Sequence, residues 1–212
     1  MSLSARFFAF NYDRLMRRTE KAGLAGLRAG LLSGATGRVL EIGAGTGANL
    51  SCYRSDVDLT LTEPEAPMVK RLQRQVRVVR PEAMVLRAPA EDLPFDDASF
   101  DTVVSTLTLC TVPDQPAALA ELRRVLRPGG ALLFLEHVRA EEPKLARLQD
   151  RINRLNNVIA HGCNCNRPTV EALAAAGFQV DDLTRSTLPK APPFVRPLVL
   201  GRASVATVAL TR

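Results

Sequence analysis

Val39-Leu40-Glu41-Ile42-Gly43-Ala44-Gly45-Thr46-Gly47 is an apolar run that carries one acid and then three glycines at alternate positions. The apolar run predicts a buried β-strand. The glycines predict a tight turn where backbone passes so close to a ligand that a Cβ would block it. Glu41 stands just before that turn, so the site asks for negative charge as well as space. A bare phosphate would be repelled by that acid. A ligand with a free amino group and a second cationic centre would be attracted.

Working outward, apolar positions at helical spacing (Phe7, Phe10, Leu15, then Leu24, Leu27, Leu31) predict one or two leading helices, ended by Ser33–Gly37. Strand one is Arg38–Ile42, and a helix is expected from about Thr46, with Asn49 in its first turn. Leu59–Leu61 is a second strand ending at Thr62-Glu63-Pro64, followed by a helix through Met68, Val69, Leu72 and Val76. Met84–Leu86 and Phe100–Ser105 are strands three and four. Residues 114–126 form an amphipathic helix stopped by Arg127-Pro128-Gly129-Gly130, and Ala131–Glu136 is strand five. Strands alternating with helices at this spacing imply a mainly parallel sheet covered on both faces. Beyond residue 137 the pattern predicts a helix over 143–160, a short helix over Pro168–Ala176, and two late strands, Phe178–Leu183 and Val205–Leu210. Leu188–Leu200, with four prolines, is expected to be a loop or flap.

The 212 residues predict one domain, with 46% hydrophobic and 24% charged residues, ordinary for a water-exposed globular chain. No apolar run is long enough to cross a bilayer, and the first residues lack the pattern of a secretory signal, so the expected compartment is the cytoplasm. Peripheral contact with a membrane stays compatible with this. Cys52, Cys110, Cys163 and Cys165 are too few for a disulfide scaffold and are read as reduced thiols. The net charge of +6 invites a nucleic-acid reading. The bases are spread out, however, and the clearest series, Arg71, Arg74, Arg77 and Arg80, is read as the solvated face of a helix.

Gly43–Ala48 also satisfies G-x-G-x-x-A, the dinucleotide fingerprint, and Glu63 stands about 20 residues on, where an acid would take ribose hydroxyls. A nicotinamide-dependent oxidoreductase is therefore a competing reading. Glu41 weighs against it, as does the short stretch after strand five, too short for a typical separate substrate domain. So do further signatures: Ala90-Glu91-Asp92-Leu93-Pro94-Phe95, Ser99-Phe100-Asp101-Thr102-Val103-Val104-Ser105 and Leu122–Gly130. With the glycine turn, these resemble class I S-adenosylmethionine-dependent methyltransferases over roughly residues 37–137, in the small-molecule branch that includes the ubiquinone and menaquinone methyltransferases. Thr106–Val112, Glu136-His137-Val138 and Gly162-Cys163-Asn164 are similar to the alkyl-thiol methyltransferases of animals, which carry an N-terminal membrane anchor that has no long apolar counterpart here.

The resemblance implies a Rossmann-like α/β fold: a seven-stranded, mostly parallel sheet in the order 3-2-1-4-5-7-6, with a C-terminal antiparallel hairpin and helices on both faces. It divides the single domain into a helical lid (1–36), a cofactor-binding core (37–137) and substrate-side helices, flap and final strands (138–212). The implied cofactor is S-adenosylmethionine, leaving as S-adenosylhomocysteine. Gly43, Gly45 and Gly47 would line its methionine and ribose portions, with a backbone contact from Ala44. Glu41 would hold the amino group, directly or through water, with Asn49 bracing the site. Glu63, followed by Pro64, would accept the ribose hydroxyls. Met68 would pack on adenine, and Ala90 and Glu91 would border it. Ser105, Thr106 and Leu107 would run under the methionine and methyl groups, and Tyr12, beside Asp13, would close over the top. Where many relatives have an aspartate before Ala90, this chain has Pro89, leaving Glu91 or Asp92 as substitutes.

His137, at the end of strand five, is the candidate catalytic or substrate-contacting residue. His161-Gly162-Cys163-Asn164-Cys165 matches no strong zinc spacing, and no metal is expected. The loop after strand four lacks the Asn/Asp-Pro-Pro-aromatic signature of enzymes that methylate amino groups of bases and glutamine, which argues against nucleic acid. Apolar residues of the leading helix and of the flap (Phe194, Val195, Leu198, Val199) would roof a pocket for a small lipophilic acceptor. The expected nucleophiles are thiol sulfur, then oxygen, then amine nitrogen. A catalytically silent cofactor-binding protein is the non-enzymatic alternative.

Overall fold

The computed structural model describes residues 3–205, and for residues 3–10 only the backbone. Phe7, Phe10 and most of the strand expected over Val205–Leu210 therefore lie outside the described side chains or residues. Seven strands form one sheet: β1 (Arg38–Ile42), β2 (Asp58–Thr62), β3 (Met84–Leu86), β4 (Phe100–Thr106), β5 (Leu126–His137), β6 (Phe178–Thr187) and β7 (Pro197–Val205). Their order is β3-β2-β1-β4-β5-β7-β6. The first five pair in parallel, and β7 runs antiparallel to both β5 and β6. The fold expected from the resemblance is the fold observed.

Successive residues of the central strands feed opposite layers, as the two-residue period of a strand requires. Leu40, Ile42, Val103, Leu132 and Phe134 pack with Leu119 and Leu122 of α4 (Gln115–Val125) and Leu173 of α6 (Thr169–Ala175). Val39, Val104 and Leu133 pack on the other face with Leu32 of α2 (Ala25–Leu32) and Leu72 and Val76 of α3 (Ala66–Val79). Ahead of α2, α1 (Leu3–Thr19) is joined to it through a π-helical kink over Glu20–Leu24. The sheet winds one way from β1 to β2 and β3 and the other way through β4 and β5. The crevice at that reversal, outside the carboxyl ends of β1 and β4, is where such sheets bind ligands.

The structure departs from expectation in four places. Residues 45–49 form successive turns leading into a 3-10 helix, Leu50–Cys52, in place of a regular helix from Thr46. The flap expected over Leu188–Leu200 ends at a short 3-10 helix, Pro193–Val195, and the rest is β7, so Leu198 and Val199 are core residues of an interior strand. Pro197 is tolerated because it opens the strand, where a missing N–H costs little. β5 begins at Leu126, through the Pro-Gly-Gly segment expected to precede it. Arg80 is no solvated base: it caps α3 from a buried position and donates to the carbonyls of Tyr53 and Arg54.

Candidate active site

Four strand ends meet at the crevice. From β1 the chain enters the glycine turn with Gly43 and Gly45 at φ 57° and 58°, values an L side chain adopts at a cost. The two glycines face different surroundings. A Cβ on Gly43 would lie 2.4 Å from Cγ2 of Thr108, so the turn is packed hard against the loop after β4. A Cβ on Gly45 would meet nothing nearer than the Gly43 carbonyl at 4.0 Å. Gly45 therefore borders free space, and the missing side chain leaves room for a ligand. The Ala44 N–H donates to the Thr62 carbonyl of β2 at 2.9 Å, and the Gly47 N–H closes the turn on the Ala44 carbonyl at 2.9 Å.

Glu41 is buried, and its carboxylate accepts from Asn49 Nδ2 at 2.9 Å and from the Tyr53 hydroxyl at 2.7 Å. Burial raises its pKa, while these two bonds and the Arg28 charge oppose the rise. Arg28, on α2 and 4% exposed, lies over the same group. Its guanidinium donates to Asn49 Oδ1 and to Thr106 Oγ1, each at 2.9 Å, and to Glu20 at 3.1 Å. Asn49 Nδ2 also donates to Thr106 Oγ1 at 2.8 Å. β1, the turn after it, β4 and the leading helices thus share one buried polar network.

At the end of β2, Glu63 accepts from the Gly45 N–H and the Glu65 N–H, both at 2.9 Å, and burial raises its pKa. Above the turn, Thr46 donates to Asp13 of α1 at 2.6 Å, and Asp13 also pairs with Arg71 of α3. Tyr12 is next to that latch. Burial raises the pKa of its phenol, and the Arg28 charge opposes the rise.

After β4 the backbone turns sharply at Leu107, a non-glycine residue at φ 56°. Glu136 of β5 holds that turn: its carboxylate accepts from Ser105 Oγ at 2.6 Å and from the N–H groups of Thr108 (3.1 Å), Leu109 (3.1 Å) and Cys110 (3.2 Å). A strained backbone conformation costs of order 1–3 kcal/mol and persists where its surroundings overdetermine it. His137, the next residue, is buried with Nδ1 unpartnered. Burial lowers its pKa from 6.5 to about 4 against the weak opposing pull of the Pro197 and Val195 carbonyls, so the imidazole is neutral near pH 7.

The remaining expected residues lie apart from this network. Met68 is buried on α3, Ala90 packs in the core with Leu93, and Pro64 is exposed. Glu91 accepts from the Asp114 N–H at the start of α4 at 3.1 Å. Among the described residues no cluster of three metal-ligating side chains occurs.

A methyltransferase-domain family model matches residues 40–134. Human thiol S-methyltransferase TMT1A is 36% identical over 169 residues, 78% of this chain and 69% of that protein. Human thiol S-methyltransferase TMT1B is 36% identical over 179 residues, 81% of this chain and 73% of that protein. The chain belongs to the class I S-adenosylmethionine-dependent methyltransferases. A solved structure from Thermotoga maritima, described as an S-adenosylmethionine-dependent methyltransferase and possible histamine N-methyltransferase, superposes with a TM-score of 0.70 at 24% identity over 95% of this chain and 98% of that one, which shows the shared fold. As a methyltransferase of this class the protein uses S-adenosylmethionine as methyl donor, and the nicotinamide reading falls away.

Arg28 and Tyr53 belong to the buried network of the candidate site with no motif to mark them, and Glu136 enters the sequence reading only as the end of strand five and within Glu136-His137-Val138. The leading-helix stripe was expected at Leu24, Leu27 and Leu31, but Leu24, Arg28 and Leu32 are the buried set. A stripe rotated by one residue would have shown a lone arginine facing inward. Glu136 does leave a mark: like Glu41, it is an acid at the end of an apolar strand.

Proposed function

We propose that this methyltransferase moves the methyl group of S-adenosylmethionine to the sulfur of a small lipophilic thiol. The observation that carries the proposal is the engagement of the acids at the strand ends. Glu41, Glu63 and Glu136 are all committed to hydrogen bonds inside the chain, and His137 is neutral with a pKa near 4. Such a site suits an acceptor that ionises without a strong base, and a free thiol, with a pKa of about 8.5, is one. The names of the human relatives point the same way.

S-adenosylmethionine would supply a methyl carbon bound to a sulfonium: the acceptor thiolate forms the new S–C bond as the donor's C–S bond breaks in line, its electron pair going to the departing S-adenosylhomocysteine. In the proposed arrangement Gly43, Ala44, Gly45 and Gly47 cradle the methionine and ribose portions. Glu41, through Asn49, sets negative charge under the amino group, and Glu63 takes the ribose hydroxyls. Met68, Ala90 and Glu91 border the adenine. Ser105, Thr106 and the strained Leu107 form the floor beneath the methyl group. Tyr12 and the Asp13–Thr46 contact close α1 over the donor and exclude water, which strengthens every charge interaction within. The acceptor reacts as its thiolate, its proton lost to solvent before transfer, and neutral His137 is the residue set to contact the acceptor. Holding donor and acceptor in line is the main contribution asked of the protein.

The test is transfer of isotopically labelled methyl to matched alkyl thiols, phenols and amines. Thioether products, formed faster as pH rises toward the thiol pKa, are expected. Turnover with phenols or amines alone would overturn the thiol assignment. Tight S-adenosylhomocysteine binding with no turnover on any acceptor would favour a silent binding protein.

A further inference from the structure

Helix α5 (Pro143–Ile159) is built inside out. A helix on a protein surface normally buries its apolar stripe and turns its polar face to water. α5 does the reverse. Its buried residues are Ala146 and two amides, Gln149 and Asn156. Gln149 donates to the carbonyls of Val138, Cys165 and Phe194 at 3.1, 2.8 and 3.0 Å and accepts from the Ala140 N–H at 2.7 Å. Asn156 donates to the Cys163 carbonyl at 2.9 Å, and Asn153 to Asn164 Oδ1 at 2.9 Å. These bonds satisfy loop carbonyls and fix the rotation of the helix about its axis.

That rotation turns the apolar stripe to solvent. Leu148, Leu155 and Ile159 recur at helical spacing, with the half-buried Ile152 between them, and Val158 stands beside them. Leu155, Val158 and Ile159 are 63%, 76% and 69% exposed. The stripe runs about 16 Å at 1.5 Å per residue. Alongside it lies a second exposed row, Lys144, Arg147, Arg151 and Arg154, at spacings of three and four. None of the four pairs with an acid among the described residues. The acid on this helix near them, Asp150, is taken by Arg139 and Asn166.

We propose that the outer face of α5 docks on an anionic lipid membrane, with Leu148, Leu155, Val158 and Ile159 entering the interface and the cationic row held at the headgroups. An apolar stripe bordered by lysine and arginine is the composition of a helix that lies in the plane of a membrane surface. Charge decides between this occupant and a second copy of the chain. Two such faces brought together would oppose four unpaired cations to four, whereas an anionic surface neutralises them. The helix ends at the segment whose Gly162 packs on the Thr111 carbonyl, next to the loop after β4. Docking would therefore set the acceptor side of the site beside a lipid phase. The docking itself does not depend on which acceptor is methylated.

The test is co-flotation of the full chain with vesicles of phosphatidylcholine alone or with phosphatidylglycerol, without donor or acceptor. Binding is expected to the anionic vesicles, weakening with salt as headgroup attraction is screened. Leu155→Glu with Ile159→Glu should lower partitioning at least tenfold, and Arg147→Glu with Arg151→Glu by a similar factor on anionic vesicles. Both should leave the melting temperature and S-adenosylhomocysteine binding unchanged, because these side chains make no contact that holds the fold. Flotation no better than without vesicles, or equal flotation of the variants, would overturn the proposal. So would a dimer in sedimentation equilibrium that the variants dissolve, which would assign the face to a second copy.

Discussion

Two glycines of the turn after β1 should fail in different ways when given a methyl group. Gly43→Ala places a Cβ 2.4 Å from Cγ2 and 2.6 Å from Oγ1 of Thr108, at a φ of 57°. The left-handed conformation costs about 1–2 kcal/mol, and forcing a methyl into a filled space costs about 1–3 kcal/mol more. Thr108→Ala removes both close atoms and leaves only Cβ, at 3.1 Å. On its own that variant gives up long hydrogen bonds to the carbonyls of Ile42, Gly43 and Thr106 at 3.3–3.4 Å, a loss of about 1 kcal/mol or less. In the double variant most of the overpacking is relieved and the conformational cost remains, so urea unfolding should return a favourable coupling of about 1–3 kcal/mol. Gly45→Ala pays a similar conformational cost with no clash, because its Cβ meets open space. Its larger effect should be a loss of S-adenosylhomocysteine affinity measured by calorimetry, with no rescue by Thr108→Ala. Strictly additive stabilities for Gly43 and Thr108, or unchanged donor affinity for Gly45→Ala, would refute the assignment of one glycine to packing and the other to the ligand.

Two further outcomes follow from the buried ionisable groups. Arg28→Met should cost about 3 kcal/mol, the usual loss when one partner of a buried pair is removed, since Glu20, Asn49 and Thr106 each lose a donor. It should also weaken donor binding, and a variant matching the parent in both urea midpoint and affinity would show that Arg28 holds nothing. For His137 the folded pKa of about 4 lies below the unfolded 6.5. The stabilising contribution is therefore complete above pH 6.5 and is lost as pH falls toward 4, a span of about 3 kcal/mol at 1.36 kcal/mol per unit. His137→Leu should flatten the pH dependence of unfolding between 6.5 and 4, and identical slopes would place the acid sensitivity elsewhere.

The glycine turn and the acids at the strand ends are legible in the sequence because the candidate site they form constrains the backbone. Close approach needs glycines, strand ends need acids, and spacing between parallel strands sets where those acids fall. These demands produce local patterns that mark the five parallel strands, whereas the order of the strands in the sheet is implied by the resemblance to the methyltransferases and matches the order observed. The parts that went unread answer to tertiary contacts. The residues after Thr46 look helical by composition, yet the Asn49 and Tyr53 side chains are drawn down to Glu41, and the segment bends through turns instead. The prolines of 188–200 suggested a flap throughout, but burial of Leu198 and Val199 between β5 and β6 outweighs them once Pro197 stands at the strand's first position. Arg28 went unseen because a one-residue rotation of a helical stripe is invisible to periodicity alone.

The missed arginine changes how the site is understood. Without it, the leading helices look like a cover laid over a finished cradle. With it, they are part of the floor. One guanidinium nitrogen bonds both Asn49 of the β1 turn and Thr106 at the end of β4, while Nε reaches back to Glu20 at the kink between α1 and α2. Detaching α1 and α2 would strip Asn49 and Thr106 of a donor and leave Glu41 buried without its nearby cation. Such losses are expensive inside a protein, so helix docking and the shape of the floor of the candidate site are energetically coupled. A contact that seats α1, such as Asp13 with Thr46, therefore acts on the floor as well as on access from above.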